Sequence, residues 1–440
     1  MSKVVKFGGS SLADAKQFEK VANIIRSDKD RAFVVVSAPG KRFKEDTKVT
    51  DMLYGCYESA AKGEDFSKVF EKIEERYRDI ISALGLGVSL EKEFERIRQA
   101  FIGRAGRDYA ASRGEYLNAI IFADYIGYDF IDASDVIFFR EDGVLDSEKT
   151  QEVLSKELKK HKNAVIPGFY GSMPNDTVRT FSRGGSDITG SIVARAANAE
   201  IYENWTDVSG FLMADPRVVE SPRPIEVITY HELRELSYMG ATVLHEDAIF
   251  PVRLAGIPIN IRNTNRPEDC GTMIVASVDP NKDNALDAVI TGIAGKKGFS
   301  VITLEKDMMN QELGFGRRLL EVLEKNNISF EHLPSGIDTM SVVLNTSDIA
   351  GNEKHLQDQI CRAVDPDSIS FEDGLALIAV VGRNMRRAKG TAARVFDAVS
   401  NAGVNIRMID QGSSEINIII GVSEHDFETA MRAIYKEFIS

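Results

Sequence analysis

Three short segments of this 440-residue chain combine glycine, hydroxyl and charged side chains in ways that suit anion chemistry. In Lys6-Phe7-Gly8-Gly9-Ser10-Ser11, two glycines directly follow a short apolar run. Backbone N–H groups can close on a phosphate there, the helix that follows adds its positive end, and the lysine supplies a mobile cation. Taken alone, a glycine turn beside a solvated lysine would look the same. In Phe181-Ser182-Arg183-Gly184-Gly185-Ser186-Asp187, Ser186 or Asp187 can cap the helix that Ile188, Ile192, Val193 and Ala196 continue. Arg183 can grip a carboxylate as a two-pronged fork. A capped surface helix explains Asp187, but not the arginine and two glycines ahead of it. In Trp205-Thr206-Asp207-Val208-Ser209-Gly210, with Asp215-Pro216-Arg217 beyond, the polar groups follow the strand-like Glu200–Asn204. That is the carboxyl end of a sheet, where open α/β folds bind ligands, unless the segment is a plain turn.

The elements that must position these groups follow a regular rhythm. Lys3 to Phe7 reads as a strand, the glycines as a turn, Leu12 to Ile25 as a helix and Ala32 to Val36 as the next strand. The same pattern returns at Tyr116–Ile131, Ala164–Ala199 and Ile257–Ile261, so the first ~270 residues read as α/β with a largely parallel sheet. Phe70, Ile73, Tyr77, Ile80 and Ile81 share one face of a charged, periodic stretch between Phe66 and Phe101, predicting helices laid over that sheet. The polar, proline-bearing Ser277–Asn284 marks a domain boundary. Beyond it, residues 300–345 and 376–421 align without a gap. Ile302 falls on Ile378, Met309 on Met385, Gly314 on Gly390, Arg318 on Arg394 and Gly336 on Gly412. Each copy reads β-α-β-β, with Ile328–Leu333 and Met340–Leu344 as the later strands of the first copy. Such a unit leaves strand edges and a sheet face to be covered by another copy or another chain.

Composition narrows the functions open to the chain. It is 43% hydrophobic and 28% charged, with 54 Lys plus Arg against 67 Asp plus Glu and a net charge of −13. It should be globular, and a bulk nucleic-acid or anionic-membrane binder is excluded. Three scattered cysteines (Cys56, Cys270, Cys361) and six histidines, with His231 and His245 outside any zinc motif, predict neither a disulfide framework nor a protein-bound metal. The amino terminus enters a strand pattern at once and no stretch approaches the ~20 apolar residues of a membrane span, so a cytoplasmic protein is expected. Neither G-x-x-x-x-G-K-S/T nor G-x-G-x-x-G is present.

Taken together, in this order and at these separations, the three segments closely resemble the amino-acid kinase family, in its aspartate-kinase branch. The resemblance covers essentially the whole chain, since the duplicated tail is similar to the tandem ACT units that sense amino acids. It implies a catalytic domain over 1–280 and a regulatory region over 285–440. The inner ACT unit would span about 375–430, and the outer one about 289–370 plus 431–440. It further implies that Lys6, Gly8, Gly9 and Ser10 hold the transferring phosphates of ATP, with Mg²⁺ accompanying the nucleotide, and that Thr206, Asp207, Leu212 and Arg217 line the nucleotide pocket. Ser37, Thr50 and Ser186 would lie near the acceptor, Glu115 would meet its amino group, Arg183 its α-carboxylate, and Asp187 would be catalytic beside Lys6. The acceptor implied is L-aspartate, phosphorylated on its β-carboxylate at the head of lysine, threonine and methionine biosynthesis. A glutamate or N-acetylglutamate kinase, or a sensor that no longer turns over, are the alternatives.

One departure stands out. Where the family often reads Gly-Ala-Lys-Val-Leu-His, this chain has Gly240-Ala241-Thr242-Val243-Leu244-His245, so Thr242 brings no cation to the phosphates. In the tail, Met309, Gly314, Phe315 and Asp338 are the residues expected to receive an effector amino acid, lysine or threonine. The second copy carries Arg386-Arg387 and Ser414, which offer an effector's ammonium no carboxylate. Pairing of ACT units predicts a homodimer or a higher assembly.

Overall fold

The computed structural model describes residues 2–182, 184–241, 249–278 and 289–439. In chain order the elements are β1 (Lys3–Phe7), α1 (Ala15–Arg26), β2 (Arg31–Val36), α2 (Val49–Lys62), α3 (Ser67–Ala83), α4 (Glu91–Ile102), α5 (Arg107–Ile126), β3 (Asp129–Phe130), α6 (Ala133–Val136) and α7 (Ser147–Leu158). There follow β4 (Ala164–Pro167), β5 (Tyr170–Ser172), β6 (Val178–Thr180), α8 (Gly185–Ala196), β7 (Ile201–Thr206), β8 (Val227–Thr229), α9 (Tyr230–Tyr238), α10 (Phe250–Leu254), β9 (Ile259–Asn263) and β10 (Thr272–Val275). The duplicated region holds β11 (Gly292–Glu305), α11 (Phe315–Lys325), β12 (Thr339–Asn345), α12 (Thr346–Ile349), α13 (Glu353–Val364), β13 (Ser368–Val381), α14 (Thr391–Asn401), β14 (Met408–Asp410), β15 (Asn417–Ser423) and α15 (Phe427–Ile439). The chain divides into two units. One holds the described residues through Phe211, Pro224–Tyr230 and those up to Val278; the other holds Leu212–Arg223, those from His231 to Ala241, and those from Val289 on.

The first unit is built on an eight-stranded sheet of order β3-β4-β2-β1-β7-β9-β10-β8. From β3 to β9 every pairing is parallel, and only β10 against β9 is antiparallel. Val- and Phe-rich β2 is buried at every residue, as strands covered on both faces are. Its covering helices form two groups: α1 and α5 meet through Phe18 and Phe122 at 5.2 Å, while α8 packs with α7 and α10. Helices α3 and α4, expected on the sheet, form an outer layer against α2 and α5 instead. Their apolar stripe holds a cluster of Phe66, Phe70, Phe94 and Phe101 with ring centroids 5.4–6.5 Å apart. Because the strands are parallel, β1, β2, β4, β7 and β9 all end along one edge, and the three anion-suited segments gather there.

The second unit carries a five-stranded antiparallel sheet, β12-β11-β13-β15-β14. The two copies share it: β11 pairs with β13 from Gly292–Val381 to Glu305–Ser368, through two irregularities. Ile328–Leu333, expected as a strand, makes only the bridge of His332 to Val343, and Pro334, which has no N–H to give, follows it. Residues 431–440 were expected with the first copy. The single helix α15 instead packs on α14 of the second copy and buries Phe427, Met431 and Ile434. The expected boundary falls mostly on 279–288, outside the described residues. Segments 212–223 and 231–241, expected with the catalytic domain, pack in the second unit. Ile293 N–H donates to the Met213 carbonyl at 2.7 Å, Arg432 Nε to the Val218 carbonyl at 2.8 Å, and Arg383 pairs with the fully buried Glu232 at 3.2 Å. Among the described residues no helix is long and apolar enough to cross a membrane.

Candidate active site

Lys6 is the penultimate residue of β1, and strand register sets it beside Asn204 on β7. Both side chains reach Asp187 in the first turn of α8: Lys6 Nζ lies 2.6 Å from Oδ1, and Asn204 Nδ2 donates to the same oxygen at 2.9 Å. Asp187 was expected as a possible cap, but the cap position is taken by Gly184 at φ +59°, with no side-chain hydrogen bond there. The carboxylate is thereby left to orient the lysine. Gly185 allows the approach, since a Cβ on it would stand 2.3 Å from the Phe169 ring. Phe169 itself has φ +81°, a conformation that costs a non-glycine residue free energy. It follows β4 and lines the site.

The glycine turn after β1 is held just as closely. Gly8 N–H donates to the Trp205 carbonyl at 3.2 Å and Gly40 N–H to the Gly9 carbonyl at 2.8 Å. Gly9 opens a short 3₁₀ turn ending at Leu12. A Cβ on Gly9 would sit 2.8 Å from the Ala38 carbonyl, and one on Gly40 2.6 Å from the Gly9 carbonyl carbon. The loops after β1 and β2 thus meet backbone to backbone.

Lys6, Ser37, Thr50, Glu115, Phe169, Ser186 and Asp187 line one cleft of about 240 Å³. Glu115 comes from the middle of α5, where burial pushes its carboxyl up to about 8 even though the Ala38 N–H favours the charged form. Its Oε2 is buried without a protein partner. Asn118, one turn on, fixes the loop after β2 by donating to the Ser37 carbonyl at 2.7 Å. A cation, two carboxyl groups and three hydroxyls therefore converge in a space suited to a small zwitterion. Arg183, expected to clamp a carboxylate, and Thr242 lie outside the described residues. A larger cavity of about 780 Å³ shares Phe169 with the cleft. Its arginines are engaged by other groups of its own lining, Arg179 with Asp108 at 3.4 Å, Arg195 with Ser147 at 3.0 Å and Arg107 over the Tyr54 ring at 4.1 Å, and the smaller cleft, where Lys6, Asp187 and Glu115 meet, is the candidate.

Thr206 and Asp207 close β7 at the same edge of the sheet, the Thr206 hydroxyl donating to Asp207 Oδ1 at 3.2 Å. Trp205, just before them, is a packing residue: 1% exposed, stacked on Phe7 and flanked by Arg31 and Arg262 at 5.3 and 4.7 Å. Leu212 and Arg217 belong to the second unit, where Arg217 turns back onto Asp215 at 2.6 Å. In that unit Gly314 (φ +79°) and Gly390 (φ +84°) open α11 and α14. Met309 and Phe315 are core residues, so their side chains are not presented to a ligand. Asp338 accepts the Met308 N–H at 2.9 Å. Beside it Met308 and Ile337 are exposed apolar groups, which the sequence reading missed. Asn204, Phe169 and Asn118 were also missed, and for Asn204 only strand pairing with Lys6 gives it away.

The sequence profile of the amino acid kinase family matches residues 1–263 and that of an ACT domain matches 378–438. The chain belongs to the amino-acid kinase family. Among relatives, Aspartokinase 3 of Bacillus subtilis (strain 168) is 41% identical over 457 aligned positions, covering 100% of this chain and 99% of that one. The crystal structure of Clostridium acetobutylicum aspartate kinase is 51% identical with a TM-score of 0.92, covering 99% of each chain. E. coli aspartokinase III, solved with lysine and aspartate, is 25% identical with a TM-score of 0.74 over 100% of each. Within the family, then, the chain falls among the aspartate kinases.

Proposed function

We propose that the chain transfers the γ-phosphoryl group of ATP to the β-carboxylate of L-aspartate, forming 4-phospho-L-aspartate. The observation that carries this reading is the Lys6–Asp187 contact at 2.6 Å in a cleft shared with the Glu115 carboxyl, whose Oε2 has no protein partner. A carboxylate with a solution pKa near 4 is already ionised at neutral pH, so the reaction needs alignment and charge neutralisation more than a general base. Lys6, aimed by Asp187 and Asn204, would neutralise the γ-phosphoryl oxygens, and the N–H groups of the Gly8–Ser10 turn would hold the phosphate chain. Glu115 would meet the substrate ammonium, Ser37, Thr50 and Ser186 its polar edges, and Arg183 its α-carboxylate. Thr206, Asp207, Leu212 and Arg217 are the residues proposed for the nucleotide.

Among the described residues no three acidic or thiol and imidazole groups are placed to hold a metal. Mg²⁺ would therefore be carried in by the phosphates, with the Asp187 and Asp207 carboxylates available to it, and would supply further charge neutralisation. Without a lysine at 242, either Lys6, Arg217 or the ion would cover that charge, or turnover would be lower. Trapping the acyl phosphate as a hydroxamate with aspartate, glutamate and N-acetylglutamate in turn tests the reading, and product from either rival but not from aspartate would overturn it. The catalytic domain would end near residue 280, with the tandem ACT region following. Lysine is the effector favoured, because the E. coli relative was solved with it. Loops at Gly314 and Asp338 would receive it in a homodimer or higher assembly in the cytoplasm. Loss of activity on titrating lysine, with threonine in parallel, checks the regulatory part.

A further inference from the structure

One buried cation lies outside the cleft yet holds the turns that follow β1 and β2, the strands that bring Lys6 and Ser37 to it. Arg76, on α3, is 3% exposed. Its Nε and Nη2 donate to the Ala13 carbonyl at 3.2 and 2.9 Å, and Nη2 also donates to the Gly40 carbonyl at 2.6 Å. Nη1 reaches Asp46 Oδ2 at 2.9 Å. Asp46 is held in turn by Arg42, through its backbone N–H at 3.0 Å and its guanidinium at 2.9 and 3.1 Å. Ala13 caps the 3₁₀ turn that runs from Gly9 to Leu12, and Gly40 is the residue whose N–H meets the Gly9 carbonyl. A planar fork of five donors can span two carbonyls and a carboxylate at once, which a lysine cannot.

We infer that Arg76 is a positioning residue that locks the turn after β1 to the loop after β2, and so fixes the N–H groups of Gly8–Ser10 for the nucleotide's phosphates. The inference rests on the phosphate role proposed for that turn. Without the fork, the Ala13 and Gly40 carbonyls lose their buried donor, and the two loops can separate although nothing in the cleft has been altered. The effect should fall chiefly on the nucleotide, since the contacts proposed for the amino acid come from α5, α2 and α8 apart from Ser37, which opens the loop after β2.

The test is the full-length chain with Arg76→Met and Arg76→Lys, and Arg78→Met on the same helix as a surface control. Deuterium uptake by peptides spanning residues 6–14 and 37–48 is read beside steady-state kinetics and the melting midpoint. Arg76→Met should speed exchange in both segments together, raise KM for ATP about tenfold and lower kcat/KM for ATP roughly 100-fold, the scale of a misplaced catalytic group. KM for aspartate should stay within threefold, and Arg78→Met should change none of these. Arg76→Lys should exchange as fast as Arg76→Met. Unchanged exchange and KM for ATP in a folded Arg76→Met variant would overturn the inference. Equal losses for ATP and aspartate that track a lowered melting midpoint in both variants would overturn it as well. If the wild-type chain yields no hydroxamate with aspartate while Arg76→Met still loosens both segments, the lock stands and the proposed reaction is what fails.

Discussion

Two side chains in the cleft do opposite things with charge. Lys6 is a cation held by the Asp187 carboxylate, which Asn204 fixes in turn, and Lys6→Ala removes the only lysine among the described residues that line the cleft. Hydroxamate formation should fall at least 10²–10³-fold, the cost of deleting one aligned donor, with the circular dichroism spectrum unchanged. Near-normal turnover would remove Lys6 from the mechanism. Glu115 is a carboxyl that burial holds neutral up to about pH 8. Only its ionised form can pair with a substrate ammonium, so kcat/KM for aspartate should climb as pH rises to about 8. Glu115→Gln should flatten that climb and cost about 10–100-fold in KM for aspartate, the worth of one charge-assisted hydrogen bond. The stability effect has the reverse sign. The folded chain keeps a proton that the unfolded chain releases near pH 4.5, so stability is lost as pH rises from there towards 8. A thermal-melt series over pH 5–8 on wild type and Glu115→Gln checks it.

Elements explain what could and could not be read in advance. The glycine turns were legible because a strand-glycine-helix order leaves few alternatives; Ser37, Thr50, Glu115 and Ser186 were matched from their motifs to the acceptor and Lys6 and Asp187 to the transfer step, and these six line one cleft. Asn204 was not, because its part depends on which strand lies beside β1. Arg76 was hidden differently. It falls within the stripe of Phe70, Ile73, Tyr77 and Ile80 and is buried with them, and a charged residue on the apolar face of a helix was the available signal. Register and close approach also set the element-scale expectation. Gly40→Ala forces a Cβ into the Gly9 backbone and should cost about 1–3 kcal/mol, as overpacking does. Gly55→Ala, inside α2 with nothing within 4 Å, should instead stabilise by about 0.5–1 kcal/mol. Denaturant unfolding of the pair gives both values, and equal effects would contradict the contact at Gly9.

For the whole molecule, the decisive feature is that 212–223 and 231–241 are catalytic-region sequence packed into the second unit. Sequence pattern showed the duplication, but not that β11 and β13 would each serve both copies, since pairing partners lie far apart along the chain. A chain ending at residue 278 would take Ile293 from the Met213 carbonyl and Arg383 from Glu232, and removing one partner of a buried ion pair costs about 3–5 kcal/mol. Such a truncation should unfold at a lower temperature than the intact chain and be cut first by protease within 212–241. A truncation as stable and as active as the full chain would contradict the packing described. The shared sheet also bears on how such proteins can be rebuilt. Exchanging a single ACT copy between relatives would cut β11 and β13 midway and expose unpaired edges that invite aggregation. The smallest piece that can be transplanted whole is therefore the entire tail together with 212–223 and 231–241, so recombination, natural or engineered, has its viable crossover points inside the catalytic sequence rather than after residue 278.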